Sequence, residues 1–242
     1  MTQIVAENIE KIYGTGDSRF TAVSDMSFAV APGEFVAVMG ESGAGKSTLL
    51  SILGALNAPT SGRYRVDGID VYGLSREKQA DFRREFLGFV FQHFHLMPYL
   101  SVLENVMLPL TTSPLKRHEK KALAARALET VGLMKKAGHL PFEISGGEKE
   151  RTAVARAIVN EPPIILADEP TGNLDTRNTG DVMALLRRLS KQGTTIIMVT
   201  HSRTCSAFAD RIMTIADGRI WAGNEDHIIP EMEPTPEITC PA

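Results

Sequence analysis

The chain has 242 residues, 43% of them hydrophobic and 23% charged, and a formal net charge of -3. That length supports a sizeable buried core, and the excess of acid argues against general affinity for nucleic acid, which favours a basic face. Its longest apolar runs, such as Pro163 to Ala167 and Thr195 to Val199, fall far short of the roughly 18 to 20 residues that cross a bilayer. The start, Met1 to Glu7, lacks the basic and apolar regions of a secretory signal, so the cytosol is the expected compartment. Cys205 and Cys240 have neither metal-ligand spacing nor a disulfide pattern and read as unreactive thiols.

In chain order, short β-rich segments come first, Ile4 to Ile9 and Ala22 to Val30, and Pro32-Gly33 turns into an apolar strand, Glu34 to Met39. Gly40-Glu41-Ser42-Gly43-Ala44-Gly45-Lys46-Ser47 follows, with Thr48 continuing into a helix predicted over Lys46 to Leu56. Strand, glycine loop and helix form a phosphate cradle: backbone N–H groups curl around the phosphates and the helix aims its positive end at them. Lys46 reaches the outer phosphates and the Ser47 hydroxyl can ligate Mg²⁺. After a turn at Pro59-Thr60-Ser61-Gly62, Tyr64 to Val66 resumes a strand, Asp67-Gly68 is a hairpin signal, and Arg76 to Phe86 is a charged helix.

Between Phe91 and Gly146 helical signals replace β alternation, which predicts an inserted helical subdomain. Ser101-Val102-Leu103-Glu104 has capping-box spacing, and Lys116 to Val131 is rich in Ala, Leu, Lys and Glu. The basic cluster Lys116 to Lys121 reads as a solvated helix face. From Pro162 the α/β rhythm returns, with strands Ile164 to Ala167 and Thr194 to Val199 and helices Asp175 to Lys191 and Ser202 to Ala209. Continuous apolar strands alternating with helices predict a parallel sheet covered on both faces. The tail from Pro230 to Ala242 carries four prolines and three glutamates and is expected to be mobile.

Two further constellations bear on chemistry. The strand Ile164 to Ala167 delivers Asp168 and Glu169 at its C-terminal end, the ligand side of an α/β sheet and the Walker-B position. Asp168 is suited to holding Mg²⁺ through water, and Glu169 to polarising a water for in-line attack on a γ-phosphate. Ser145-Gly146-Gly147-Glu148 opens a strongly helical stretch, which makes a second anion site at a helix N-terminus.

With these two phosphate sites the chain resembles the ATP-binding-cassette ATPases over nearly all of residues 1 to 222. The resemblance implies a P-loop NTPase α/β fold with a mainly parallel, RecA-like sheet, an N-terminal antiparallel β subdomain and the helical subdomain at about residues 92–160. It implies one nucleotide-binding domain over residues 1–229 with the tail at 230–242. ATP and Mg²⁺ are the implied cofactors, with two ATP enclosed in a head-to-tail homodimer in which the Ser145-Gly146-Gly147 element faces the partner's nucleotide. Position by position, Tyr13 resembles the aromatic that stacks on adenine, and Gln92 the glutamine that reaches Mg²⁺ and the attacking water. Asn173-Leu174-Asp175 is similar to the loop coupling the two sites, and His201 to the histidine contacting the γ-phosphate. The Mg²⁺ set is then Ser47, Gln92 and Asp168. Glu148 is a familiar variant after the signature glycines, whereas Lys149 and Glu150 replace frequent glutamines.

The stretches Gly88 to Leu110 and Pro170 to Asp175 are similar to the branch containing lipoprotein-release, macrolide-export and cell-division ATPases. That likeness implies a separate integral membrane permease with few helices and a large extracytoplasmic domain, and a peripheral position on the cytoplasmic face of the membrane. Phe94, Leu96, Met97 and Leu100 are candidates for the groove taking a permease helix, or for subdomain core. A transmembrane signalling complex acting on cell-wall enzymes uses the same engine, and the residues do not separate the two. Soluble work on DNA is disfavoured, because about 100 residues without sustained heptads separate glycine loop and signature. A GTPase is disfavoured because no N-K-x-D tetrad occurs.

Overall fold

The computed structural model describes residues 3–221. In chain order its elements are β1 (Ile4–Tyr13), β2 (Phe20–Val30), β3 (Phe35–Met39), α1 (Lys46–Leu53), β4 (Ser61–Val66), β5 (Ile69–Asp70), α2 (Arg76–Phe86) and β6 (Leu87–Phe91). There follow α3 (Val102–Met107), α4 (Arg117–Thr130), α5 (Gly146–Ile158), β7 (Ile164–Asp168), α6 (Thr176–Lys191), β8 (Thr195–Val199), α7 (Arg203–Ser206), β9 (Arg211–Ala216) and β10 (Arg219–Ile220).

Two sheets result. The first is a four-stranded antiparallel sheet in the order β2-β1-β4-β5, and the second a six-stranded sheet in the order β10-β9-β3-β8-β7-β6. All neighbours in the second run parallel except the β9–β10 pair, which the Asp217-Gly218 turn closes. The central strands are apolar without alternation because both faces are covered. In β3, Val36 and Val38 point into a core shared with α1 and the antiparallel sheet, whereas Phe35 and Ala37 point into a second core under the helices. Ile164 and Leu166 against Ile165 and Ala167 repeat this division in β7, as a period of two requires.

Helix starts follow their caps. The Ser101 hydroxyl accepts from the Glu104 amide while the Glu104 carboxylate accepts from the Ser101 amide, the reciprocal box expected from their spacing. Within α3, the fully buried Asn105 amide ties down the preceding segment 97–101: its Oδ1 accepts from Met97 N at 2.7 Å and its Nδ2 donates to the Met97, Leu100 and Ser101 carbonyls. The helices α3, α4 and α5 pack on one another around Val102, Val106, Leu128 and Val154.

Several expectations move. The helix predicted over Lys46 to Leu56 ends at Leu53, because Gly54 closes it with its N–H on the Leu50 and Ile52 carbonyls. The one predicted over Ser202 to Ala209 shrinks to Arg203–Ser206. The strands β6, β9 and β10 had no counterpart in the sequence reading, although the alternation of buried Met213 and Ile215 ahead of Asp217-Gly218 carries the signal for β9. The tail at 230–242 and Cys240 lie outside the described residues. Cys205 is a free, buried thiol with its Sγ 3.2 Å from Thr171 Oγ1. No helix among the described residues is long and apolar enough to cross a membrane.

Candidate functional site

The site is built at the C-terminal ends of β3, β7 and β8. Beyond β3 the chain winds through Gly40–Thr48, and two glycines there are required by close approach: a Cβ on Gly40 would collide with the Ile215 carbonyl, and one on Gly45 with the Ala22 carbonyl. Gly45 also holds φ at +99°, a left-handed region that side chains disfavour. No side chain caps α1, so its first N–H groups face the loop cavity. Lys46 Nζ is folded over the loop, donating to the carbonyls of Gly40 at 2.8 Å and Glu41 at 2.7 Å.

Parallel pairing sets Asp168, the last residue of β7, between Phe91 and Val199. Burial first and the neighbouring Glu169 second push the Asp168 carboxyl above its ordinary range, with Lys46 opposing. Glu169 takes φ of +47°, which turns the chain out of the strand. Glu169 Oε1 lies 2.9 Å from His201 Nδ1, brought over by β8. Gln92, next after β6, is held by its carbonyl, which accepts from Asn173 Nδ2 at 2.7 Å.

These residues line one cavity of about 530 Å³: Gly40 to Gly43, Gly45 to Thr48, Gln92, Asp168, Glu169 and His201. Ala44 is buried beneath the loop. Phe20, Ala22 and Val199 also line the cavity and were missed. Phe20 stacks on Tyr13 at 5.5 Å between ring centroids, because β1 and β2 pair these two residues directly. The Tyr13 hydroxyl accepts from Asn57 Nδ2, and Tyr13 is not among the residues lining the cavity. The expected strand begins at Ala22, and Phe20 lies two residues earlier on the same face, where strand alternation could have found it.

The signature element is not brought into this cavity. Ser145 and Gly146 are exposed at the start of α5, and Glu148 closes a capping box there: its carboxylate accepts from the Ser145 amide at 2.8 Å. That hydrogen bond holds the Glu148 carboxyl below its ordinary range. Asp175 caps α6, accepting from the Asn178 amide at 2.9 Å and from its side chain at 2.7 Å, which likewise lowers its carboxyl. Leu174 lies against Gly146, and a Cβ on Gly147 would collide with the Asn178 side chain, so the two loops share a surface. A separate groove of about 470 Å³ lies beside β6, lined by Leu56, Leu87, Phe89, Phe91, Leu108 and Pro109 with Arg83, Arg84, His95 and Arg156 among its polar residues. None of Phe94, Leu96, Met97 and Leu100 lines it.

A parallel sheet with a glycine phosphate loop, strand-end carboxylates and a histidine over one cavity defines a P-loop NTPase. Residues 23–172 match the ABC transporter family, more than half of the chain, and the protein belongs to that family. It is 46% identical over 218 residues to the macrolide export ATP-binding/permease protein MacB of Chlorobaculum tepidum, a match covering 90% of this chain and 33% of that one. The chain thus spans about a third of the macrolide-export relatives it matches. It is 45% identical to the lipoprotein-releasing system ATP-binding protein LolD of Bordetella pertussis, over 89% of this chain and 94% of that one. It is also 45% identical to the ABC transporter ATP-binding protein YvrO of Bacillus subtilis, over 90% and 95%. Among solved structures, the ATP-binding cassette MJ0796, a dimer in a post-hydrolysis state bound to ADP and Pi, superposes with a TM-score of 0.82 at 39% identity, covering 90% of this chain and 96% of that one.

Proposed function

We propose that this chain is the ATP-binding and ATP-hydrolysing subunit of a transporter complex, working as a homodimer on an integral membrane permease. The observation carrying this reading is the convergence on one cavity of the glycine loop, Asp168, Gln92 and the Glu169–His201 pair. The phosphates of ATP lie along the amides of Gly40 to Thr48, and Lys46 exchanges its loop carbonyls for the outer phosphate oxygens. Phe20 on the cavity wall, with Tyr13 stacked on it, supplies an aromatic ledge for the adenine.

The donor set fits Mg²⁺: the Ser47 hydroxyl, the Asp168 carboxylate and the Gln92 amide are hard oxygen donors on one cavity, and positive charge there suits a carboxyl raised by burial and by Glu169. When bound, the ion neutralises charge on the phosphate oxygens. Glu169 orients and deprotonates the attacking water, His201 fixes the Glu169 carboxylate and reaches the γ-phosphate, and Gln92 steadies the water from the other side. Exposure of Ser145 and Gly146 away from their own cavity suits them to a partner protomer's nucleotide, with Asp175 and its neighbours at the same face. The apolar groove beside β6, with its basic residues, suits an amphipathic helix of the permease. Its location is peripheral, on the cytoplasmic face of the membrane.

Co-purification from native membranes with ATPase assays tests this reading. An integral partner of few helices whose presence raises ATP turnover is expected; recovery of the active chain with soluble partners alone contradicts it.

A further inference from the structure

We propose that Arg156 is a positioning residue that ties the loop carrying Gln92 to the signature helix, so that the placement of Gln92 depends on that helix. The inference rests on the reading above, in which Gln92 serves the hydrolysis site.

Arg156 lies in the last turn of α5, the helix that Ser145 caps. Its guanidinium spans two successive carbonyls: Nη2 donates to Phe94 O and Nη1 to His95 O, each at 2.6 Å. Phe94 and His95 have φ of +59° and +46°, adjacent non-glycine residues in the left-handed region. Such a pair persists only where its surroundings enforce it. The fork of N–H donors does this, because a planar guanidinium satisfies two neighbouring carbonyls at once and an ammonium lacks that fixed geometry.

The loop is therefore held from both ends. Asn173, which follows the β7 carboxylates, fixes the Gln92 carbonyl, and Gly172 lets the Gln92 amide approach: a Cβ there would stand 3.2 Å from Gln92 Nε2. Two residues further on, Arg156 fixes Phe94 and His95. Gln92 thus sits between a tether from the carboxylate strand and a tether from the signature helix. Arg156 also lines the groove beside β6, so an occupant of that groove would touch the same guanidinium.

Glu150 supplies an internal control. It is 1% exposed on the same helix and its Oε1 has no hydrogen-bond partner. Its carboxyl feels the Arg156 charge but makes no hydrogen bond to the loop, so Glu150→Gln changes the charge beside the guanidinium and leaves both of its hydrogen bonds to the Phe94 and His95 carbonyls in place.

The test compares Arg156→Ala, Arg156→Lys and Glu150→Gln in the full chain by steady-state ATPase kinetics, thermal midpoint and amide hydrogen exchange. Arg156→Ala is expected to lower kcat about 10-fold or more while KM for ATP stays within about twofold, because the loss is one of placement. Exchange should quicken at residues 93–97 and stay unchanged in the phosphate loop. Arg156→Lys should recover only part of kcat, and Glu150→Gln should keep the wild-type rate. Should Arg156→Ala fail to fold, the lysine variant decides by the same readouts. Full kcat in a folded Arg156 variant, or wild-type exchange at residues 93–97, overturns the proposal. The exchange arm needs no turnover, so an inert wild-type chain would count against the hydrolytic reading alone.

Discussion

His201 Nδ1 lies 2.9 Å from Glu169 Oε1, with the imidazole 71% exposed at the cavity mouth and the carboxylate 15% exposed inside it. The pair joins the ends of adjacent strands β7 and β8, and its two members are unequal by position. In the proposed mechanism the sheltered carboxylate takes the proton of the water, and the exposed imidazole orients it and meets the phosphate.

Replacing Glu169 by Gln keeps the size of the side chain but removes the proposed base. Phosphate release should fall by about 10² to 10⁴, while ATP affinity measured by equilibrium binding changes little. Wild-type turnover in Glu169→Gln would remove Glu169 from the role of base.

Lys46 donates to two carbonyls of its own loop, so its ammonium is already aimed across the phosphate cradle. Lys46→Ala should weaken ATP binding by about 10- to 100-fold, the weight of a charge-assisted hydrogen bond. The fold should be retained, since those carbonyls can turn to water. Unchanged affinity in titration calorimetry would refute the assignment.

Asp210 anchors the start of β9 to the central strand: one oxygen accepts from Arg187 at 2.6 Å and the other from the Phe35 amide at 3.0 Å. The Arg187 hydrogen bond first holds its carboxyl below the ordinary value, with burial opposing. A lowered folded-state value gives stability that is present above the unfolded value of about 3.9 and is lost as the pH falls through the folded one. Asp210→Asn should therefore cost about 1 kcal/mol at pH 7, a figure kept small because both side chains are partly solvated. The gap between variant and wild type should narrow below about pH 4 in denaturant titrations.

Glu150 shows the opposite sign. Burial pushes its carboxyl up to about 8, with Arg156 pulling the other way. Between the unfolded value of about 4.3 and the folded one, the native state must hold a proton that the unfolded chain releases, so stability declines as the pH rises through that window. Glu150→Gln removes this liability and should raise stability by about 1 to 3 kcal/mol at pH 8, with little change at pH 4. An equal effect at both pH values would show that burial of the acid is not the cause.

Much of the site was legible because local rules suffice for it. Gly40 to Thr48 announces itself by glycines that cannot bear a side chain, Asp168 and Glu169 by following a fully apolar strand, and Ser101 and Ser145 by their partners three residues on. The helix over Arg76–Phe86 begins where the Ser75 hydroxyl accepts from the Lys78 amide, a boundary carried by one side chain. What escaped depends on pairing across the chain. Phe20 reaches the cavity through its register with Tyr13, and β9 is a strand because β3 offers an edge for it. The groove beside β6 is assembled from Leu56, Phe89 and Leu108, far apart in sequence. Phe94, Leu96, Met97 and Leu100 do not line it, and Asn105 holds the segment 97–101 against α3.

Sedimentation of the Glu169→Gln chain with and without Mg-ATP tests most directly whether two protomers share the nucleotides. The account predicts monomers without ATP, dimers with it, and monomers again when Ser145→Arg is added to block the signature turn. A Glu169→Gln chain that binds ATP and stays monomeric, or dimers that survive Ser145→Arg, would contradict it.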